Sequence, residues 1–354
     1  MFDSIKSKID KGDIRLLIRS RAPLRLGLAG GGTDVSPYSD EFGGAILNAT
    51  ISMYAYATLE PMQDGKISIE AIDRKEKLEF DFNEVLMLDG KLDLIKGVCN
   101  RIVKEFTKKS LSFKLSTYVD APAGSGLGSS STLVVAIIGA FTEWLSLPLG
   151  EYDIAHLAYE IERKDLALSG GKQDQYAACF GGFNFMEFYD DNVIVNPLRI
   201  KKEYLNELQL NILLYYTGTS RLSSKIIESQ IKNVEKKNNN SIEAMHKLKE
   251  YAILMKQALL KGRLDEIGEI LHHSWLYKKR MTSEISNSLI NEIYEEALNA
   301  GSSGGKISGA GGGGFMMLYC PNNTRYKVIE SLQKFGGEFR RYQFTKYGLE
   351  TWKI

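Results

Sequence analysis

Glycine is distributed very unevenly along this chain of 354 residues. Twelve of its 33 glycines cluster in three runs, at 27–34, 122–132 and 306–314, and each run adjoins an inferred strand or helix end. Glycine adopts positive φ without steric cost and allows another backbone or a ligand to approach closely. The three runs therefore predict tight turns that bind ligands or pack against other backbone.

The central run, PAGSGLGSSST at 122–132, lies between a predicted strand ending at Val119 and an apolar helix. Inward-facing backbone N–H groups, serine hydroxyls and the positive end of a helix dipole together favour phosphate oxygens. The spacing fits neither a Walker A loop nor a dinucleotide fingerprint. A simple turn joining strand to helix is the alternative. The residues predicted to bind phosphate are Pro122, Gly124, Ser125, Gly126, Leu127, Gly128, Ser129, Ser130 and Ser131.

The late run, KISGAGGGG at 306–314, precedes a predicted strand at 315–320. Four adjacent glycines lose much conformational entropy on folding, which indicates a backbone packed closely against another loop or a ligand. A flexible linker is disfavoured because apolar sequence flanks the run on both sides.

The opening run, GLAGGGTD at 27–34, follows a predicted strand that carries two arginines. A hydroxyl and a carboxylate, from Thr33 and Asp34, come directly after the glycine turn. Such a pair suits a polyol ligand, because a carboxylate accepts hydrogen bonds from two sugar hydroxyls. Alternatively, the two residues cap a helix that begins near Val35.

The periodicity predicts an α+β protein of two domains, with residues 1–203 in the first and 204–354 in the second. Strands are predicted at 14–18, 45–59, 66–72 and 113–119, and the first substantial helix only after Val119. Helices at 131–145 and 153–168 follow. In the second domain a strand at 208–216 begins an alternation of helices, at 223–234, 242–260, 264–281, 287–299 and 326–335, with strands at 315–320 and before Ile354.

Charge and cysteine content exclude several classes of function. Lysine plus arginine number 45 and aspartate plus glutamate 44, so no net field favours nucleic acid or an anionic membrane. We find neither a secretory signal in the first 20 residues nor an apolar run long enough to cross a bilayer. Three cysteines without CxxC spacing and four scattered histidines argue against disulfides or a zinc site. We expect a cytoplasmic protein with a small-molecule partner; homo-oligomers remain open.

The three glycine runs, in this order, resemble the signature motifs of the GHMP small-molecule kinases over essentially the whole chain. The run at 122–131 resembles the family pattern P-x-x-x-G-L-G-S-S, and 306–313 resembles the late glycine motif. The resemblance implies an N-terminal domain like domain 2 of ribosomal protein S5 and a ferredoxin-like C-terminal domain. It also implies ATP bound between them, with Gly311 and Gly312 joining the central run in nucleotide binding.

Within this family, the opening motif resembles the D-glycero-D-manno-heptose 7-phosphate kinase subgroup. RAPLR at 21–25, AGGGTD at 29–34 and GGAILNATI at 43–51 carry the resemblance. It implies transfer of the γ-phosphoryl group of ATP to the anomeric O1, giving heptose 1,7-bisphosphate for nucleotide-activated heptose and surface polysaccharide. The alternatives are a C1 kinase of an unphosphorylated sugar such as fucose or galactose, and a catalytically silent sugar or ATP sensor.

The resemblance also implies residue roles. Glu162 and Ser130 match the family's Mg²⁺-binding pair, both hard oxygen ligands; otherwise Glu162 reads as a solvent-facing partner of a neighbouring cation. Asp174 matches the aspartate that faces the acceptor hydroxyl, and Arg25 the basic residue paired with it. Since an adjacent arginine weakens a carboxylate base, we expect Asp174 to align the acceptor hydroxyl and take its proton late.

The sugar is assigned to residues of the opening run and to cations elsewhere in the chain. Gly31, Gly32, Thr33 and Asp34 match the sugar-binding stretch of related kinases. Phosphate on the sugar requires cations as well. The basic candidates are Lys172, Arg221, Lys278, Lys279 and Arg280, of which Lys172 and Arg221 are preferred.

Overall fold

The computed structural model describes residues 16–107, 109–219 and 223–354. Within these residues, the strands of a large first sheet are β1 (Ile18–Ala29), β2 (Gly44–Pro61), β3 (Lys66–Ala71), β4 (Glu76–Asp81), β5 (Phe113–Val119), β6 (Phe183–Phe188), β7 (Val193–Pro197) and β12 (Glu350–Lys353). The strand order is β12-β1-β2-β5-β3-β4, and β6 pairs with both β2 and β7.

Helices cover one face of the first sheet. They are α2 (Asp93–Phe106), α3 (Ser129–Leu145), α4 (Glu151–Glu160) and α5 (Gln173–Phe180), while the short α1 (Tyr38–Phe42) lies beside the opening glycine run. Helix α3 is apolar on nearly every face because it is the centre of this layer, with every residue from Val134 to Phe141 buried. Its position fixes the preceding central glycine run at the edge of the sheet.

The second sheet has the order β11-β8-β10-β9, all antiparallel, from β8 (Ile212–Tyr216), β9 (Gly304–Ile307), β10 (Phe315–Tyr319) and β11 (Glu338–Phe339). Renumbered along the chain, this is the 4-1-3-2 order of a ferredoxin-like sheet. The helices of this half are α6 (Lys202–Asn211), α7 (Ser223–Glu235), α8 (Asn239–Lys261), α9 (Glu266–Met281), α10 (Ser288–Asn299) and α11 (Arg325–Leu332).

The α+β fold class is confirmed, and most predicted elements are present. The strand at 113–119 has the predicted bounds, and the helices at 131–145 and 287–299 differ by two residues or fewer at each end. No helix in the described part of the chain combines the length and apolar character needed to cross a membrane.

The structure corrects three predictions about secondary structure. The strand predicted at 14–18 starts only at Ile18, as part of β1, and residues 14 and 15 lie outside the described part of the chain. The first substantial helix was predicted only after Val119, but α2 precedes the central glycine run. Its buried residues follow the helical spacing of three and four; they are Ile95, Val98, Cys99 and Ile102. The predicted strand at 208–216 begins only at Ile212. Its first part is the end of α6, because the buried residues Leu208 and Asn211 are three positions apart and share one helical face.

The last strand crosses the predicted division of the chain. The predicted boundary after residue 203 falls inside helix α6. Strand β12 pairs with β1 from Ile18↔Lys353 to Arg21↔Glu350, so β12 belongs to the first sheet. The segment leading into β12 passes over Gly181, whose added Cβ would lie 2.2 Å from backbone atoms of Tyr347 and Gly348. Gly181 thus allows two backbones to cross with no space for a side chain.

We predict that Gly181→Ala destabilises the protein more than Gly90→Ala. Both glycines have positive φ, so both variants incur the left-handed cost of about 1–2 kcal/mol. Only Gly181 adds a backbone clash, since no atom lies within 4 Å of a Cβ at Gly90. We expect a further loss of about 1–3 kcal/mol in the free energy of unfolding, measured by urea denaturation. Equal losses in the two variants would contradict the close crossing.

Candidate active site

Arg25 connects the central and late glycine runs through its guanidinium group. It extends from β1 and is 3% exposed. Its Nε and Nη2 donate to Asp174 Oδ1 at 2.7 and 2.6 Å. Its Nη1 donates to the Gly126 carbonyl at 2.6 Å and lies 3.5 Å from Ser308 Oγ. The structure therefore brings Arg25 and Asp174 together, at the meeting point of the central and late runs.

The central run forms a loop whose backbone is fixed from the other sheet. Gly124, Gly126 and Gly128 have φ of 73°, 79° and 78°, and α3 begins directly afterwards. The N–H of Phe315, in β10, donates to the Ser125 carbonyl at 3.0 Å. A Cβ on Gly126 would lie 2.3 Å from the Ser308 carbonyl oxygen. Glycine is required here because two backbones touch.

The late run contacts the central loop through Gly309 and Gly314 rather than through its middle. A Cβ at Gly309 would lie 2.7 Å from Gly126 Cα, and one at Gly314 would lie 2.4 Å from the Ser125 carbonyl oxygen. Gly311 and Gly312, predicted to bind nucleotide, instead pack on Ile285, to whose carbonyl the Gly312 N–H donates at 2.8 Å. Their contact with nucleotide remains a prediction.

A narrow cleft with a cavity volume of about 80 Å³ opens beside the central loop. Its walls are largely apolar with a few polar groups, a lining typical of small-molecule sites. Sequence reasoning did not find it, because its residues come from four separated parts of the chain. They are Ala71, Asp73, Arg74, Leu92, Leu94, Ile95, Thr117, Val119, Ala121, Ala123, Ser129, Ser130 and Leu133.

Glu162 is buried and lies in a π-helical turn, Ile161–Asp165, that follows α4. Such turns insert one residue into a helix and redirect side chains, often at functional sites. The hydroxyl of Ser131 donates to Glu162 Oε1 at 3.0 Å, and the role of Ser130 as a metal ligand beside Glu162 remains a prediction. Gln175 donates to Glu162 Oε2, and Arg163 is 3.8 Å away. Ser130 is exposed and lines the cleft, so Ser131 positions Glu162 while Ser130 stays accessible.

Burial raises the pKa of Glu162, and the charge of Asp174 adds to this effect. A buried carboxylate whose nearest cation is 3.8 Å away favours a cationic ligand that compensates its charge. In the described residues no three His, Cys, Asp or Glu side chains cluster as a metal site. The donor set of Glu162 and Ser130, one carboxylate and one hydroxyl, fits Mg²⁺, which takes one or two protein oxygens and completes its shell with water and substrate phosphates.

Asp34 is buried beside the ion pair of Arg25 and Asp174. Its Oδ2 accepts from the Gln173 N–H at 3.1 Å and its Oδ1 from the Gly32 N–H at 3.3 Å. Burial raises the pKa of Asp34, and the nearby charge of Asp174 raises it further. Helix α1 begins at Tyr38, and Asp34 does not cap it. The alternative reading of Asp34 as a helix cap was therefore wrong.

Thr33 and Lys172 are committed to protein partners. The Thr33 hydroxyl lies 2.8 Å from the Gly30 carbonyl and 3.0 Å from the Ala45 carbonyl, so it holds the turn. The Lys172 ammonium donates to Asp40 and to the carbonyls of Tyr189 and Asp190, at 2.9, 2.8 and 3.1 Å. Lysine has three N–H donors, and here all are used. Both side chains therefore have protein partners, and their contact with a sugar remains a prediction. Arg221 lies outside the described residues.

Comparison with known proteins decides the family. The N-terminal domain model of the GHMP kinases matches residues 93–182, and the C-terminal model matches residues 255–338. A D-glycero-alpha-D-manno-heptose 7-phosphate kinase of Campylobacter jejuni is 51% identical over 95% of this chain and 99% of its own.

This chain is a GHMP kinase. A solved D-glycero-D-manno-heptose 1-phosphate kinase of Bacteroides thetaiotaomicron is 48% identical to it, with a TM-score of 0.82 over 95% of this chain and 99% of that one. A galactose complex of Lactococcus lactis galactokinase shares the fold, with 18% identity and a TM-score of 0.76 over 99% of each chain. As a member of this family, the protein is a phosphotransferase that uses ATP and a small-molecule acceptor.

In this GHMP kinase, we predict that Gly171→Ala impairs catalysis and that Gly170→Ala is much milder. A Cβ at Gly171 would lie 1.9 Å from Asp34 Oδ2, and the carboxylate has hydrogen bonds on both oxygens. A Cβ at Gly170 meets the guanidinium end of Arg163, which can move aside. We expect kcat/KM for the acceptor to fall about 100-fold in Gly171→Ala, because a shift of about 1 Å suffices for such a loss. Equal activity in the two variants would show that the position of Asp34 is unimportant.

Proposed function

We propose that this GHMP kinase transfers the γ-phosphoryl group of ATP to the anomeric O1 of D-glycero-D-manno-heptose 7-phosphate. The observation that carries the proposal is the 51% identity, over nearly the full length of both chains, to the Campylobacter jejuni heptose 7-phosphate kinase. The product, heptose 1,7-bisphosphate, would supply nucleotide-activated heptose for surface polysaccharide.

The nucleotide is assigned to the central loop and the adjacent cleft. Positive-φ glycines alternate along the loop and the first turn of α3 follows, an arrangement that favours phosphate oxygens. The apolar walls formed by residues such as Leu92, Leu94 and Leu133 suit the base of ATP. Ser130 and Glu162 would hold Mg²⁺, which when bound neutralises charge on the β- and γ-phosphates.

Asp174 is the residue assigned to the acceptor hydroxyl. Its carboxylate is 23% exposed, accessible enough to meet a substrate, and one of its oxygens is held by Arg25. We propose that Asp174 orients the anomeric hydroxyl and accepts its proton as the O1–P bond forms and the bond from the γ-phosphorus to ADP breaks. Arg25 compensates the charge that develops nearby. A loose transition state demands little activation of the nucleophile, so orientation is the main contribution.

Asp34 and the glycines beside it are assigned to the sugar. Asp34 retains lone pairs for sugar hydroxyls beyond the two backbone N–H groups that fix it. Gly31 adds no side chain to this region, which leaves space for a substituent on the sugar ring, whereas a Cβ on Gly32 would lie 2.9 Å from Met281 Cε. We place the reaction in the cytoplasm, where ATP is available; the three free, buried cysteines are compatible with this location.

The experiment that tests the proposal is an ADP-release assay with Mg-ATP and a panel of acceptors. The panel contains heptose 7-phosphate, heptose 1-phosphate, unphosphorylated heptose, fucose and galactose. Turnover of heptose 7-phosphate with the highest kcat/KM supports the proposal. Preference for a neutral sugar favours the alternative C1 kinase. ATP binding without turnover of any acceptor favours a sensor and contradicts the proposal.

We predict that Asp174→Asn reduces kcat by at least about 100-fold with heptose 7-phosphate, because the amide neither accepts the proton nor compensates Arg25. The control is Asp81→Asn, an exposed position at the end of β4, and it should retain the parent rate. Rates are measured by ADP release at saturating ATP. A rate for Asp174→Asn within threefold of the parent, about 0.6 kcal/mol in barrier height, would remove Asp174 from the reaction.

We predict that Glu162→Gln raises the Mg²⁺ concentration needed for half-maximal activity by about 10- to 100-fold, because a charged oxygen ligand is lost. Glu160→Gln is the matched control two residues earlier. The carboxylate of Glu160 contacts Arg101 and Lys164, so its loss should alter stability and leave the Mg²⁺ requirement unchanged. Activity is titrated with Mg²⁺ at constant ATP. The same half-maximal Mg²⁺ concentration for the parent and for Glu162→Gln would contradict this metal assignment.

A further inference from the structure

Two buried lysines converge on the opening glycine run from distant parts of the chain. Lys278, from α9, is 2% exposed, and Lys306, from β9, is 3% exposed. A Cβ placed on Gly31 would lie 3.5 Å from Lys278 Nζ and 3.9 Å from Lys306 Nζ. Both ammonium groups therefore face the place where Gly31 has no side chain. The sequence offered Lys278 as one of five basic candidates and did not single out Lys306.

Each ammonium has donors that no described residue uses. Lys278 donates to the Gly309 carbonyl, and Lys306 donates to the Gly27 carbonyl at 2.8 Å. Each lysine thus makes one hydrogen bond to the described residues. Since an ammonium group has three N–H donors, two donors on each lysine remain for a ligand. The buried Lys96 is different, because the Met87 carbonyl and the carboxylates of Asp89 and Asp93 all accept from it or pair with it.

The local charge balance is positive. Arg25 is paired with Asp174, and Asp34 is the other carboxylate at this place. Burial lowers the pKa of Lys278 to about 8, and repulsion from Arg25 contributes. Burial and repulsion from Lys278 lower the pKa of Lys306 well below its ordinary value. A dianion between the two lysines would offset both effects, since a nearby opposite charge favours the charged form.

The position of the lysines points to the acceptor rather than to ATP. The phosphates of ATP already have the central loop, the first turn of α3, Ser130 and Glu162 as assigned partners. Both ammonium groups lie beside the opening run that contains Asp34: Lys306 donates to the Gly27 carbonyl, and both Nζ atoms face Gly31, while Lys278 also donates to Gly309 of the late run. Of the consecutive basic residues of α9, Lys278 is the buried one; Lys279 is half-buried and Arg280 is exposed.

We propose that Lys278 and Lys306 bind the phosphate group that the acceptor already carries, and that they thereby select a phosphorylated sugar over a neutral one. The assignment rests on the proposed function and specifies the part of the site that gives it its specificity. Gly31 is part of the same device, because a side chain there would separate the ammonium groups from the ligand.

The test uses Lys278→Met in the full chain, with heptose 7-phosphate and unphosphorylated heptose as the two acceptors. We expect KM for heptose 7-phosphate to rise about 10- to 100-fold with kcat within about threefold of the parent, since charge-assisted hydrogen bonds to phosphate are lost. KM for the unphosphorylated heptose should stay unchanged or fall. The melting temperature of the ligand-free variant should equal or exceed that of the parent, because a buried and incompletely paired cation is removed.

Lys96→Met is the matched control. It also removes a buried lysine, but one whose donors are used by the protein. It should lower the melting temperature and leave the ratio of kcat/KM for the two acceptors unchanged. Lys306→Met is the second test variant and should lose the same preference if Lys278→Met does not fold.

Two results would overturn the inference. An equal fall of kcat on both acceptors would assign Lys278 to the transferred phosphoryl group. An unchanged preference in both lysine variants would leave the lysines without a ligand role. Failure of the proposed function is recognised separately, as absence of turnover by the parent enzyme. In that case calorimetry with the same two sugars decides: the parent must bind the phosphorylated form more tightly and Lys278→Met must not, and equal affinities in the parent would refute the anion site.

Discussion

The ion pair between the buried Arg25 and the partly exposed Asp174 holds the site together. A buried charge must be paired and hydrogen-bonded to be tolerated, and Arg25 satisfies this through Asp174, the Gly126 carbonyl and Ser308. Asp174 lies in α5, which packs against the first sheet, Gly126 lies in the central loop, and Ser308 lies in the late run. One guanidinium group therefore fixes the relative positions of all three. The glycines around it follow from this arrangement, because side chains on Gly126 or Gly309 would push the two loops apart.

The glycine runs and the pair of Arg25 and Asp174 could be predicted from the sequence because the patterns that indicate them are contained in short stretches of the chain. Glycine runs beside inferred strand and helix ends predict close backbone approach, and the structure has it where Gly126 meets Ser308 and Gly314 meets Ser125. Family motifs placed Arg25 and Asp174 in one site. The strand at 113–119 and the helix after it were found for the same reason, since their periodicity and apolar content are contained in short windows.

The remainder depends on tertiary packing that no short window reveals. Lys172 and Lys278 look equivalent in sequence, yet one is saturated by Asp40 and two carbonyls while the other is left facing a glycine turn. The nucleotide cleft is assembled from β3, α2, β5 and α3, and the α2 contribution was missed along with the helix itself. The hydrogen bond from Ser131 to Glu162 is likewise a tertiary contact between two separate helices, and nothing in the local sequence indicates it.

The pairing of β12 with β1 has a consequence for the order in which this protein folds. Residues separated by more than 300 positions, such as Ile18 and Lys353, are neighbours in the same sheet. Pairing at such sequence separation closes a very large loop and is entropically slow compared with local contacts. During synthesis, β1 must wait with one edge open until the final strand leaves the ribosome. The helices and the hairpin of β3 and β4 depend on local contacts and can form earlier, so the edge of β1 is open to intermolecular strand pairing until β12 is in place.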